Sequence, residues 1–139
     1  KRQPSGFTSP GLVCYDSVFP SWNQAFVRKG AQILTIITND GWWGNSSGHI
    51  QHFAYARLRA IEFRRWVVRS ANNGISGIIS PDGSVNQKTK YWTRTSFSAD
   101  VPLRNDLSFY TRWGDWLSML CFFLVFLSVG YGWVTRKRS

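Results

Sequence analysis

Short apolar runs alternate with stretches of helical spacing along most of the chain. The run at 33–38 is rich in β-branched residues and predicts a central strand, while 49–66 lacks Gly and Pro and repeats apolar residues at helical spacing. The same criteria predict strands at 11–15, 33–38, 67–70, 75–80 and 93–101, and helices at 22–29 and 49–66. Strands that alternate with helices are typical of an α/β domain.

The last part of the chain has a different pattern. No charged residue occurs from Trp116 to Val134, a length of 19 positions, and Arg136 follows in a basic tail. About 20 apolar residues are enough for a helix to cross a bilayer, and flanking basic residues tend to remain in the cytoplasm. We therefore predict an extracytoplasmic domain at 1–115, a transmembrane helix at 116–134 and a cytoplasmic basic tail at 135–139.

Composition and charge narrow the class of protein. The 139 residues are 43% hydrophobic, carry a formal net charge of +10 and include two cysteines, so a disulfide scaffold is excluded. A basic, aromatic-rich domain is compatible with nucleic acid, but beside a membrane anchor anionic lipid is the more natural partner. Met119 is the only methionine, so we expect the chain to be a fragment or a processed product.

Cys14 is the strongest single candidate for chemistry. It ends the predicted strand at 11–15, and ligand sites in open α/β sheets lie beyond the carboxyl ends of strands. A thiolate there can attack an acyl carbon, hold the acyl group as a thioester and pass it on. By residue type alone, a cysteine at a strand end is more often an inert core residue.

Polar and aromatic residues follow the strand at 33–38. Asn39 and Asp40 favour a turn, and Trp42 and Trp43 are able to line an acyl or headgroup pocket or to pack. Gln51 and His52 come next on the predicted helix. Neither histidine has companions at metal-ligand spacing, so we predict no metal site and no cofactor.

Five motifs in order resemble the nitrilase superfamily, and within it the apolipoprotein N-acyltransferase family. They are Val-Cys-Tyr-Asp at 13–16, Thr-Asn-Asp-Gly-Trp-Trp-Gly at 38–44, Gln-His at 51–52, Ala-Arg-Leu-Arg-Ala-Ile-Glu at 56–62 and the segment 69–76. A Tyr-Thr-Arg-Trp-Gly-Asp segment at 110–115, before the apolar helix, is also similar to that family, whereas soluble nitrilases and amidases lack the anchor.

The resemblance implies the C-terminal half of a nitrilase-type α-β-β-α sandwich followed by one transmembrane helix. It implies that Cys14 takes an acyl chain from a phospholipid and transfers it to the α-amine of a diacylglyceryl apolipoprotein, at the periplasmic side of a bacterial inner membrane. The residues that would bind substrate or support the site are Tyr15, Asp16, Asn39, Asp40, Trp42, Trp43, Gln51 and His52. No nucleic acid is expected as a partner.

The chain departs from the family pattern in two respects. The family's catalytic Glu and Lys lie upstream of the nucleophile, and only thirteen residues precede Cys14, so we expect the isolated chain to be inactive. Asp16 stands where the family usually has Glu, which shortens the side chain by one methylene.

Three alternatives remain open from the sequence. The first is a membrane-anchored nitrilase-type amidase that uses Cys14 for hydrolysis. The second is a Cys/His hydrolase in which His52 serves Cys14, although nothing in the sequence places the two side by side. The third is a non-catalytic membrane module that binds lipid or protein.

Overall fold

A five-stranded mixed sheet organises residues 6–138, the range that the computed structural model describes. The strands, in spatial and chain order, are β1 (Gly11–Val13), β2 (Ile33–Asn39), β3 (Trp66–Asn72), β4 (Gly77–Ile79) and β5 (Val85–Lys88). The first three are parallel, and β4 and β5 add antiparallel neighbours. The carboxyl ends of β1, β2 and β3 therefore meet at one edge of the sheet.

Helices cover one face of this sheet. Helix α1 (Pro20–Arg28) joins β1 to β2, and α2 (Ser47–Phe63) joins β2 to β3. The alternate side chains of β2 that face these helices are buried with apolar positions of both helices, and each such side chain contributes roughly 1.5–3 kcal/mol. The core comprises Leu12, Val27, Ala31, Leu34, Ile36, Phe53, Ala56, Ala60, Phe63, Val67 and Ile79.

The opposite face of the sheet is only partly exposed: Ile33 on β2 and Ile78 on β4 are buried there, whereas positions nearer the carboxyl ends of β1 and β2 are open. Ile37 on β2 is 56% exposed and Val13 on β1 is 61% exposed. One layer of helices on one layer of sheet is half of a four-layer sandwich, in agreement with the α/β class that the sequence predicts.

The core elements agree with prediction, but their ends and the short elements do not. Helix α1 begins at Pro20, whose missing N–H suits a first turn, and α2 stops because Arg64 adopts a left-handed conformation with φ of 52°. The predicted strand at 93–101 is wrong, because that segment forms no ladder in the described chain. Strand β5 and a short helix, α3 (Phe109–Trp113), were not anticipated.

The last helix, α4 (Trp116–Arg138), follows α3 after a two-residue link. Its segment Trp116–Trp133 has a mean hydropathy of 1.7, and none of it is buried, so its length and composition suit a membrane span. Side chains of α1 attach α3 to the domain: Gln24 donates to the carbonyls of Tyr110 and Thr111, and Arg28 donates to those of Thr111 and Arg112.

Candidate active site

Cys14 opens a short 3-10 turn, Cys14–Val18, that connects β1 to α1 and is called the Cys14 turn below. Its φ of 50° is left-handed, a conformation that costs a non-glycine residue roughly 1–2 kcal/mol. The Cys14 carbonyl accepts a hydrogen bond from Ser17 Oγ at 2.8 Å and lies 3.3 Å from His52 Nε2. Surrounding groups therefore hold a half-exposed thiol in an unusual backbone conformation.

Asp16 closes the same turn. Its Oδ2 accepts a hydrogen bond from the Val13 N–H at 3.0 Å, at the junction of β1 and the turn. Tyr15, which lies between Cys14 and Asp16 in the turn, is 50% exposed. The shorter carboxylate of Asp16 thus has a local backbone partner.

A buried ionic cluster of Asp40, His52 and Arg69 lies directly behind the Cys14 turn. Arg69 Nη2 donates to Asp40 Oδ2 at 2.6 Å, and His52 Nδ1 lies 2.9 Å from Asp40 Oδ1. Burial raises the pKa of Asp40, but the hydrogen bond with His52 and the charge of Arg69 outweigh it and leave that pKa below its usual value. Asp40 therefore remains a carboxylate although its exposed fraction is 0%.

The partners of His52 fix where one of its protons lies. Nε2 faces the Cys14 carbonyl, which can only accept, so Nε2 must carry a proton to form that hydrogen bond. Nδ1 faces Asp40 and also lies 3.1 Å from Arg69 Nη2. This arrangement argues against the Cys/His hydrolase, because a protonated Nε2 engaged with a backbone carbonyl cannot accept the proton of the thiol.

Aromatic rings surround His52. Tyr15 stacks on its imidazole with centroids 5.5 Å apart, and the Trp43 ring meets it edge-on at 5.2 Å. A Cβ on Gly48 would lie 2.5 Å from the Trp43 ring, so glycine lets that indole pack against the first turn of α2. Trp43 is thus a packing residue here, while Trp42 is 84% exposed.

Two clefts adjoin the carboxyl edge of the sheet. A cleft of about 380 Å³ opens at the thiol, and its lining comprises Val13, Cys14, Ile37, Thr38, Asn39, Trp42 and Asn72. A second cleft of about 440 Å³ shares Asn72 and is rich in amide and hydroxyl groups, with Arg94 and Trp92 among its lining residues. A largely apolar cleft at the nucleophile therefore neighbours a polar one, with Asn72 lining both.

An ion pair from α2 supports the far end of the Cys14 turn. Arg59 Nη1 donates to the Val18 carbonyl at 3.0 Å, and its Nη2 pairs with Glu62 at 2.9 Å. Burial raises the pKa of Glu62, with Arg59 opposing it. The helix thereby holds the turn at both ends, through His52 and Arg59.

The predicted site residues separate into groups. Cys14, Asn39 and Trp42 line the thiol cleft, whereas Asp40 and His52 lie buried behind it. Gln51 is exposed on α2. Arg69 was not among the predicted site residues. The sequence does contain a sign of its role. Arg69 lies two residues after Val67, on the core-facing side of β3, where a guanidinium without a partner would be costly.

Comparison with known proteins places this geometry in a family. The carbon-nitrogen hydrolase model matches residues 7–105. Apolipoprotein N-acyltransferase of Chlorobaculum tepidum is 44% identical over 110 residues, which are 79% of this chain and 21% of that protein. The Thermotoga maritima protein of the same name is 33% identical over 127 residues, 91% of this chain and 25% of its own length. The chain thus spans about a fifth to a quarter of these relatives.

Solved structures share the fold. A carbon-nitrogen hydrolase from Helicobacter pylori matches with a TM-score of 0.55 at 18% identity, over 65% of this chain and 39% of that one. An amidase from Nesterenkonia gives 0.54 at 21% identity, over 65% and 37%. The family model covers most of the chain and includes the Cys14 turn, the ionic cluster and both clefts; the chain belongs to the carbon-nitrogen hydrolase family.

Proposed function

We propose that this chain carries the nucleophile of an apolipoprotein N-acyltransferase. Cys14 takes an acyl group from a phospholipid and transfers it to the α-amine of the N-terminal diacylglyceryl-cysteine of an apolipoprotein. The observation that carries the proposal is the half-exposed Cys14 thiol at a largely apolar cleft, in a chain that ends in an exposed apolar helix. Similarity to relatives named apolipoprotein N-acyltransferase supports it.

The chemistry balances in two steps. The Cys14 thiolate attacks the ester carbonyl of the phospholipid, and the ester C–O bond breaks to leave a thioester. The departing alkoxide takes up a proton and is released as the lysophospholipid. The acceptor amine then attacks the thioester, the C–S bond breaks, and an amide forms as the amine loses a proton. The residue that takes the thiol proton is the upstream Glu that the family resemblance implies, since His52 is engaged elsewhere.

The two clefts suit the two ends of a phospholipid. Ile37, Val13 and Trp42 offer apolar surface beside the thiol for the acyl chain. The polar cleft offers Arg94 for the headgroup phosphate, with Asn72 at the boundary between the two. We expect Arg94→Gln to raise KM for the phospholipid about tenfold with little change in kcat. Lys29→Gln, at an exposed cation that does not line either cleft, is the control.

The site requires a membrane location, because both substrates are lipids. In the proposal residues 1–115 form the extracytoplasmic domain on the periplasmic side, 116–134 cross the bacterial inner membrane, and 135–139 lie in the cytoplasm. Two exposed aromatics, Trp113 at the end of α3 and Trp116 at the start of α4, fit an interfacial position. A membrane-impermeant maleimide should label Cys14 from the periplasm in intact spheroplasts. Labelling of Cys14 only after lysis would indicate the opposite orientation of the domain.

A chimaera tests the activity. The matching 110-residue segment of the Chlorobaculum tepidum relative is replaced by this chain's segment, and the hybrid is expressed in cells depleted of their own enzyme. We expect lipoproteins with a third acyl chain, detected by mass spectrometry, and an acyl adduct on Cys14. Cys14→Ser should abolish both.

The other outcomes identify the alternatives. Release of ammonia from amides without acyl transfer would indicate a membrane-anchored amidase. Full rescue by the Cys14→Ser hybrid would indicate a non-catalytic module and would reject the nucleophile assignment.

A further inference from the structure

One hydrogen bond links the ionic cluster to the reacting residue in the described structure, and the charge of Arg69 also acts electrostatically on Cys14. Asp40, His52 and Arg69 are all at least 98% buried, and none of them lines either cleft. Among the hydrogen bonds of the described residues, the cluster's link to Cys14 is the one from His52 Nε2 to the Cys14 carbonyl. The cluster is therefore built to act on the backbone of Cys14 and not on a substrate.

The three buried side chains form an ordered chain of contacts. Arg69, from β3, holds one oxygen of Asp40, and the other oxygen of Asp40 faces His52 Nδ1. This contact fixes the imidazole rotation that directs Nε2 at the carbonyl. Thr38 Oγ1 also donates to Asp40 Oδ1 at 3.1 Å, and Tyr15 covers the ring. A carboxylate that follows β2 and a guanidinium from β3 thus orient one histidine on α2.

The atom that receives this contact belongs to the strained residue. The left-handed φ of Cys14 sets the direction of its Cα–Cβ bond and of its carbonyl together. Two side chains donate to that carbonyl, Ser17 from inside the Cys14 turn and His52 from α2. The Ser17 bond moves with the turn, so among the side-chain hydrogen bonds of the described residues the His52 bond is the one that links this carbonyl to α2.

We infer that His52, oriented by Asp40 and Arg69, is a positioning residue that holds Cys14 in the left-handed conformation presenting its thiol to the cleft. The role lies in the Nε2–H donor and not in proton transfer or in packing of the ring. Only the consequence for acyl transfer rests on the proposed function.

Three variants of His52 separate donation from packing. His52→Gln places an amide N–H near the Nε2 position and retains the donor. His52→Asn places its amide near Nδ1, beside Asp40, and falls short of the carbonyl. His52→Met has nearly the shape of Gln and no donor.

The first readout is amide hydrogen exchange of residues 13–18 in the full-length protein in detergent micelles. We expect exchange to rise about fivefold to tenfold in the Asn and Met variants and to stay within about twofold of the parent in the Gln variant. Equal exchange in the Gln and Met variants would overturn the inference. If the Met variant does not fold, the comparison of Gln with Asn decides in the same way.

The second readout is acyl-thioester formation on Cys14 with phosphatidylethanolamine vesicles, measured in the chimaera with the Chlorobaculum tepidum relative, which supplies the upstream Glu and Lys. Because Cys14 is no longer held in position, we expect the acylation rate to fall about tenfold in the Asn and Met variants without a rise in KM. The Gln variant should retain the parent rate. If the chimaera with unchanged His52 forms no thioester, the proposed function fails, while the exchange experiment still decides whether His52 positions Cys14.

His49 supplies a matched control on the same helix. It is also buried, and its ring stacks on that of Tyr91 with centroids 4.1 Å apart. Its Nδ1 has no hydrogen-bond partner in the described structure. In His49→Gln and His49→Met, both the amide exchange of residues 13–18 and thioester formation should stay at the level of the parent. A rise at 13–18 in both His49 variants would mean that any buried histidine of α2 supports the turn through packing, and the inference would fall.

Discussion

At the scale of single residues, Gly74 leaves room for the Asp40 carboxylate. A Cβ at position 74 would lie 2.2 Å from Asp40 Oδ2 and 2.7 Å from its Cγ, so the buried cluster would have to move. We expect Gly74→Ala to destabilise the domain by roughly 2–3 kcal/mol, measured by thermal or denaturant unfolding in detergent. Because displaced Asp40 releases His52, acylation of Cys14 should fall as well.

Gly11→Ala is the control for this prediction. Nothing lies within 4 Å of a Cβ there, so its unfolding free energy should change by less than about 0.5 kcal/mol. Similar losses for the two variants would mean that the approach of Gly74 to Asp40 has no special importance.

The buried Asp40 carboxylate should also make the stability of the domain depend on pH. Its folded pKa is below the usual 3.8, so its stabilisation is complete above that value and is lost as pH falls through the folded pKa. Thermal unfolding between about pH 6 and about pH 3 should therefore show a marked loss of stability at the acid end. Asp40→Asn should lower stability at pH 6 and reduce this acid-side loss.

The exposed Asp100→Asn serves as the comparison, because it removes one carboxylate far from the buried cluster. An acid profile of Asp40→Asn that runs parallel to the parent's would show that Asp40 does not carry the pH dependence.

At the scale of elements, α2 holds the Cys14 turn through the Arg59–Glu62 pair. The Arg59 side chain is 4% exposed, and its loss leaves Glu62 and the Val18 carbonyl without that partner. Removal of one member of a buried pair is costly, so Arg59→Met should destabilise the domain by about 2 kcal/mol. Arg104→Met, from an exposed pair with Asp106, should cost less than about 0.5 kcal/mol in the same unfolding assay.

The same scale shows what the sequence could predict. Strand β2 and helix α2 carry their pattern locally, so both were predicted to within a few residues. Strand β5 has only its first residue half-buried, so it lacks an apolar alternation, and its pairing with β4 depends on residues brought together by the fold. Segment 93–101 alternates loosely but finds no strand to pair with.

The candidate site follows the same division. The sequence analysis assigned Cys14 to one strand end and Asn39 and Trp42 to the segment after the next strand. The parallel pairing of β1 with β2 is what brings them together. The contact between His52 and the Cys14 carbonyl was not predictable, because it depends on the rotation of α2 over the sheet and on Arg69 from β3.

At the scale of the whole molecule, α4 is the candidate membrane span. A charge at the middle of a membrane span costs about 2.5–3.5 kcal/mol on insertion scales, and much less near its ends. We expect Leu124→Arg to shift the protein from the carbonate-resistant membrane fraction to the soluble or degraded fraction, whereas Thr135→Arg should remain in the membrane. Equal recovery of both variants in the membrane would argue that α4 does not cross the bilayer.

The hydrogen bonds from Gln24 and Arg28 tie the helix that follows the nucleophile to the helix that precedes α4. One residue separates the Cys14 turn from α1, and two residues separate α3 from α4. On the proposal that α4 crosses the bilayer, these contacts hold the thiol at a fixed level above the membrane surface. The ester of a donor phospholipid would then have to reach that level before its acyl group could transfer.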